Sequence, residues 1–392
     1  MRSAMYGFAE MGLLTRSCSM PAISGTLPWQ KHLVAPLAMA GTLAAGIAGG
    51  VAARYLRLPL PWLLGSLATV MTLSLVGAPV RVIRWGRPAG TLVVGASTGL
   101  QLSAAVVAKL VTLLPLILAA AFFSTVIGAI GGLIYMRLAG IDRTTAFFAT
   151  VPGGVVETLN LAPMYGGHIE PIMVAQTTRV ALIVVLAPFL VISFMGGARN
   201  PVLATPAAPW LGVLALLAIS GAVATLLSRT RSPNAWLMTP LFLAALASQL
   251  GLLEGRMPDL LLIAAQIAIG SALGANFRPE FLTRMFGLLW ASCVVVLFAA
   301  GFMALFGAVV AWVMGYPVPT MVLATAPAGI AEMTLTGKVL GLDFTVIAGF
   351  QLMRVIIVLI WCRTALRFFA PLADRLFGER HGARELDRST GG

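Results

Sequence analysis

The sequence predicts an all-α polytopic membrane protein made of two homologous halves, each interrupted by a Pro-Gly break. Three observations predict it. The chain of 392 residues is 59% hydrophobic and only 10% charged, where a soluble domain carries about 25% charged residues. Long apolar runs recur at 33–53, 110–135, 171–194, 210–227, 287–314 and 344–362, and several exceed the roughly 20 residues that cross a bilayer. Their apolar positions do not alternate, which argues against a β-barrel. Finally, "ATVPGGVVETLNL" at 149–161 returns as "ATAPAGIAEMTLT" at 324–336.

That return belongs to a duplication. Pro152, Gly154, Glu157, Gln176 and Arg179 recur 175 positions later as Pro327, Gly329, Glu332, Gln351 and Arg354. Gly95 and Gly99 recur at the same offset as Gly270 and Gly274, and "PWLLGSL" at 61–67 faces "AWLMTPL" at 235–241. Over 149–190, 10 of 42 ungapped positions are identical. These include the polar and helix-breaking residues, whereas a chance match of apolar runs would return Leu, Val and Ala. The organisation that follows is an N-terminal tail (1–32), a first membrane repeat (33–200), a linker (201–208) within the Pro- and Ala-rich "ARNPVLATPAAP", a second repeat (209–370) and a cytoplasmic C-terminal tail (371–392).

In the first repeat the pattern predicts helices over 33–53, 61–77, 88–102 and 105–136, a broken segment over 142–165 and a helix over 170–195. The second repeat gives 209–228, 234–251, 258–276, 281–314, 318–340 and 343–362. The broken segments enter and turn back, which leaves five crossings per repeat. An odd count inverts one half relative to the other. With the N-terminus inside, 18 of the 26 basic residues fall inside, 6 outside and two within helices, as the positive-inside rule expects. The net charge of +13 reads as cytoplasmic loops facing anionic lipid. No soluble segment is long enough to form a DNA-reading head, so direct nucleic-acid binding is not expected. Three scattered cysteines suggest neither a disulfide frame nor a metal site. His32, His168 and His381 are too far apart in sequence to form one, and no cofactor is implied.

Irregular backbone at membrane depth is tolerated where protein buries it or water lines it. Pro152-Gly153-Gly154 and Pro327-Ala328-Gly329 therefore predict a packed or solvated cavity. Ala328 in place of Gly153 predicts a less sharp second break. A half-helix starting after each break offers free N–H groups and a positive dipole end, which attract an anion. Glu157 and Glu332 lie in that first turn, as site carboxylates or as plain helix-start residues. Gln176 and Arg179 share a helical face, as do Gln351 and Arg354. An Arg at mid-membrane costs about 2.5 kcal/mol or more and needs a partner. The natural pairs are Glu157 with Arg179 and Glu332 with Arg354, in a binding or a purely structural role. The paired glycines suit close helix packing, with Gln101 and Asn276 as candidate polar lining beside the site.

"PLPWLLGSL", the pair "TVPGGVVE" and "TAPAGIAEMTL", and "GFQLMRVIIV" resemble the AbrB-type bacterial inner-membrane family over about 33–370. The family carries labels that speak of transcriptional regulation and of ammonia monooxygenase. The resemblance implies a multi-pass inner-membrane protein loosely tied to gene regulation. The residues themselves favour a secondary transporter for a small anionic or zwitterionic solute, coupled to H+ or Na+ through Glu157 or Glu332. The alternative is a membrane sensor without net transport. No catalytic set or ATPase motif is recognisable, so the protein is not expected to be an enzyme. The expected partners are the lipid bilayer and the solute, and a homo-oligomer is compatible with the sequence.

Overall fold

The computed structural model describes residues 28–102, 104–153, 158, 161–195, 206–229, 234–283 and 285–377. Helix dominates: α1 (Pro28–Tyr55), α2 (Pro61–Leu75), α3 (Gly86–Gly99), α4 (Ala104–Thr112), α5 (Leu114–Ala139), α6 (Arg143–Thr150), a 3-10 turn (Ala162–Tyr165) and α7 (Ile169–Met195). The second repeat continues with α8 (Trp210–Ser228), α9 (Ala235–Gln249), α10 (Asp259–Gly274), α11 (Pro279–Thr283), α12 (Phe286–Met314), α13 (Val318–Thr325), α14 (Ile330–Val339) and α15 (Phe344–Phe377). The chain forms two units, 1–37 and 38–392. The described part of the first is the opening of α1; everything below concerns the second.

Among the described residues, five helices are long and apolar enough to cross a membrane: Pro36–Tyr55, Leu114–Ala139, Ile169–Ser193, Trp210–Ser228 and Phe286–Met314. Four shorter ones, Pro61–Leu75, Ala235–Gln249, Asp259–Gly274 and Phe344–Val358, are apolar too. Several boundaries differ from the sequence reading. α1 begins at Pro28, within the expected tail, and the helix expected over 281–314 gives the short α11 and then α12 from Phe286. The helix expected over 105–136 is two, α4 and α5. Pro115 stands at the second position of α5; it has no N–H, and its ring excludes the carbonyl four residues back. The helix expected over 343–362 runs on to Phe377, seven residues into the stretch assigned to the tail. Arg363 and Arg367 end the apolar run, but Leu366, Phe369 and Ala373 are buried and share one face at helical spacing. Phe369 packs on Phe147, with ring centroids 5.2 Å apart.

The repeats interlock. α3 packs on α9, and α10 packs on α2. Gly95 and Gly99 face the carbonyls of Leu237 and Leu241, while Gly270 and Gly274 face those of Leu63 and Leu67. A Cβ at any of the four would collide with backbone, so the absence of a side chain sets how closely these helices approach. The long helices α5 and α12 also pack together, and each carries a broken segment: α6 lies on α5, and α13 on α12. The hydroxyl of Thr150 donates to the Gly128 carbonyl (2.8 Å), and that of Thr325 to the Met303 carbonyl (3.0 Å). Residues 201–205 of the linker lie outside the described residues. Its far end is held by an isolated parallel bridge between Ala207 and Arg256. Gly255 serves that bridge at φ +114°, where a Cβ would meet the backbone of Pro206 and Ala208.

Overpacking a close crossing costs about 1–3 kcal/mol. Gly95→Val and Gly270→Val should each lower the unfolding temperature of the detergent-purified protein by several degrees. Gly287→Ala, which meets nothing within 4 Å, should leave it unchanged. Equal melting curves for all three would show that the crossings are not tight.

Candidate functional site

Both breaks are written by proline. α6 starts at an Asp142 cap whose carboxylate accepts from the Thr145 N–H (2.9 Å). It stops at Thr150, and Val151 is extended (φ −61°, ψ 131°), because the residue before a proline is driven out of the helical region. α13 stops at Thr325 for the same reason, with Ala326 extended (φ −52°, ψ 133°) before Pro327. The next residue then folds back: the Gly153 N–H donates to the Val151 carbonyl (2.8 Å), and the Ala328 N–H to the Ala326 carbonyl (2.9 Å). The second break is therefore as sharp as the first, contrary to the sequence expectation, since this turn tolerates a Cβ at position 328.

The last carbonyls of a helix have no partner within it. Gln and Arg from the following long helix supply one. Gln176 Nε2 donates to Phe148 O (2.9 Å), and Arg179 to Val151 O (3.1 Å) and Gly153 O (3.3 Å). Shifted by 175 positions, Gln351 Nε2 donates to Leu323 O (2.9 Å), and Arg354 to Ala326 O (2.5 Å) and Ala328 O (2.9 Å). Arg354 Nη2 also meets Gln351 Oε1 at 2.6 Å. All four side chains are buried. The guanidinium charge lies at the negative end of the helix dipole. This corrects the expected Glu332–Arg354 pairing: among the described residues Arg354 is held by broken-helix carbonyls and Gln351, while the expected Glu157–Arg179 pairing falls on Glu157, outside the described residues.

α14 starts after Gly329, its extended N-cap, and Glu332 stands at its third position. The Glu332 carboxylate folds back so closely over Gly329 that a Cβ there would overlap it. Its ion-pair partner is Arg87, at 3.1 Å; the Arg87 side chain is 37% exposed and that of Glu332 3%. Arg87 sits at the start of α3, where the sequence reading counted it only as a loop charge. Its counterpart 175 positions on is Leu262, so the repeat does not mark Arg87. The charge-dense stretch "RVIRWGR" leading into an apolar helix was the available signal. Gly154 and Glu157, the first-repeat counterparts of Gly329 and Glu332, lie outside the described residues.

Between the breaks lies a cavity of about 310 Å³. Gly153, Arg179, Ala328, Gly329 and Glu332 line it from the broken segments and their neighbours, Arg87 and Thr91 from α3, Ser228 from the end of α8, and Asn234 and Trp236 from the start of α9. Gln176 and Gln351 are fully buried behind it, holding backbone. Gln101 and Asn276 are exposed, just past the ends of α3 and α10, and do not line it, because each helix stops before bringing them inward. The four packing glycines lie at the crossings described above.

α3 and α14 run in the same direction, for their later residues also meet: Lys338 donates to Ser97 Oγ and stands 5.2 Å from the Phe344 ring centroid. Beside this end, Lys109 of α4 pairs with Asp343 at 2.8 Å. Burial works against the Asp343 carboxylate. Lys109, the Thr345 hydroxyl and the Val346 N–H outweigh it and hold the group below the ordinary carboxylate range.

A model of the family described as "Transition state regulatory protein AbrB" matches residues 62–370. Among curated proteins, the chain is 24% identical over 366 residues to "Uncharacterized protein YhjN" of Bacillus subtilis (strain 168), covering 86% of this chain and 94% of that one. It is 25% identical over 334 residues to "Putative regulator AbrB" of Escherichia coli (strain K12), covering 81% and 92%.

Removing one partner of an enclosed ion pair costs about 3–5 kcal/mol, and less where one partner reaches solvent. Arg87→Met should therefore destabilise the purified protein, and adding Glu332→Gln should restore most of the loss in a double-mutant cycle. Additive losses would mean that the two side chains are not coupled.

Proposed function

Since the chain belongs to the AbrB family, we propose that it is a multi-pass inner-membrane permease for a small anionic or zwitterionic solute. In this reading the repeats are inverted, with five crossings each and two re-entrant breaks, and both termini are cytoplasmic. The observation that carries it is the cavity between the two proline breaks. Paired broken helices around a polar chamber, contributed by two repeats, are the arrangement from which secondary transporters build a midplane site. The bond set around each break recurs at 175 positions, which supports a common origin of the two halves. Two arginines and the start of α14 make the chamber attractive to an anion. Glu332 is the described carboxylate placed to carry a coupling H+ or Na+; Glu157 is its counterpart in sequence.

A second reading has an observation of its own: one relative is named a regulator, and so is the family. The same chamber could then report solute occupancy to a partner at the cytoplasmic C-terminus, and any link to gene expression would be indirect. Residues 378–392, beyond the end of α15, are the segment to remove.

In proteoliposomes, the permease reading expects gradient-driven uptake of small organic acids or amino acids. Glu332→Gln should lose coupling by tenfold or more, and removal of 378–392 should leave flux intact. Full gradient-driven flux in both Glu332→Gln and Glu157→Gln would remove the coupling role. Solute binding without flux, together with signalling lost on truncation, would favour the sensor.

A further inference from the structure

The Arg87–Glu332 pair has a feature that a structural ion pair does not need. It stands in the wall of the cavity, at the point where a solute would sit. The carboxylate of Glu332 is enclosed, while the guanidinium of Arg87 remains over one-third exposed. Glu332 thus occupies the position on Arg87 that a bound carboxylate would take. Arg179 lines the same cavity, 5% exposed, and its Nε has no hydrogen-bond partner among the described residues. The rest of the lining includes Val180, Ile330, Val355 and the Trp236 ring. Such walls suit a short apolar body attached to one carboxylate better than an inorganic ion.

We propose that the chamber binds a small monocarboxylate on Arg87 and Arg179 by displacing Glu332, and that Glu332 takes up one proton as it is displaced. The proposal rests on the permease reading for its biological role, though not for its test. The exchange balances. The incoming carboxylate replaces the Glu332 carboxylate on the Arg87 guanidinium. One proton from solvent, entering through the cavity, neutralises the displaced group, and no covalent bond other than that O–H is made. The driving force is desolvation, since an enclosed carboxylate deprived of its cation is far less stable than the neutral acid. Of the other charged groups on the elements packed around α14, Glu170 stands at the start of α7 and Arg363, Arg367, Asp374 and Arg375 in the second half of α15; Arg179 on α7, Arg354 on α15 and Lys338 on α14 itself complete the set. Arg354 is held by the carbonyls of the second break, and Lys338 by Ser97 at the far end of the seam. Neither is free to replace Arg87. Arg179 makes the matching bonds to the first break, at 3.1 and 3.3 Å, but unlike Arg354 it lines the cavity; in the proposed complex it keeps those bonds and its Nε donates to the solute. A zwitterion would behave differently, for its ammonium group would stand in for Arg87 beside Glu332 and leave that carboxylate ionised.

The test is calorimetric titration of the detergent-purified full chain with butyrate, in Tris and in bis-Tris, whose ionisation enthalpies differ. The buffer dependence of the heat counts protons. Wild type should take up about one proton per butyrate bound. Glu332→Gln should take up none and should bind butyrate roughly tenfold more tightly at pH 7.5, its competitor being gone. Arg87→Met should lose binding at least tenfold. Saturable binding of butyrate without proton uptake overturns the proposal while leaving a permease intact. So does saturable, proton-neutral binding of L-alanine in place of butyrate, which would make the solute a zwitterion. Unchanged butyrate affinity in Arg87→Met, or no saturable binding to wild type, overturns the site itself.

Discussion

The structure depends on how an apolar interior accommodates two helices that stop short. A helix end leaves carbonyls without donors, and in the absence of water each orphan costs several kcal/mol. Here Gln and Arg, three residues apart on the following long helix, supply those donors twice over. Arginine is suited to this because its planar fork reaches the carbonyls on either side of the proline and its charge faces the negative end of the dipole. Gln351 and Arg354 cap the second break from behind and leave its turn facing the cavity, whereas Arg179, capping the first, is itself part of the wall.

That division of labour explains why Gln351 and Arg354 are buried while the chamber is lined by the turn itself. The structural donors approach from α7 and α15. The chamber wall is completed by α3, the end of α8 and the start of α9, elements that the interlocked glycine crossings bring against the breaks. Packing at Gly95, Gly99, Gly270 and Gly274 therefore acts on the site at a distance: it sets how near Arg87 comes to Glu332.

Much of this was legible in the residues. The helical class, most element boundaries and the two breaks follow from apolar runs and from proline, both of which act locally. The glycine spacing pointed to close packing because a missing Cβ has a direct steric meaning. Partner choice was harder to read. Opposite charges at matched spacing suggested that Arg354 would seek Glu332, yet the nearer and more numerous acceptors were peptide carbonyls, which a residue-by-residue reading does not display. Arg87 was passed over because it breaks the repeat. The extension of α15 was missed because its buried face is a sparse stripe among arginines rather than an apolar run, and Gln101 and Asn276 fell just beyond helix ends whose positions a pattern locates only to within a few residues.

Arg87 has Leu262 at the matching place, and that inequality has an evolutionary reading. Two identical subunits meeting about a twofold axis must present every charge in duplicate, so a lone cation at their seam is forbidden by symmetry. Joining both copies in one polypeptide lifts the prohibition. Each half can then differ on its own, and here one carries a guanidinium where the other carries plain hydrocarbon.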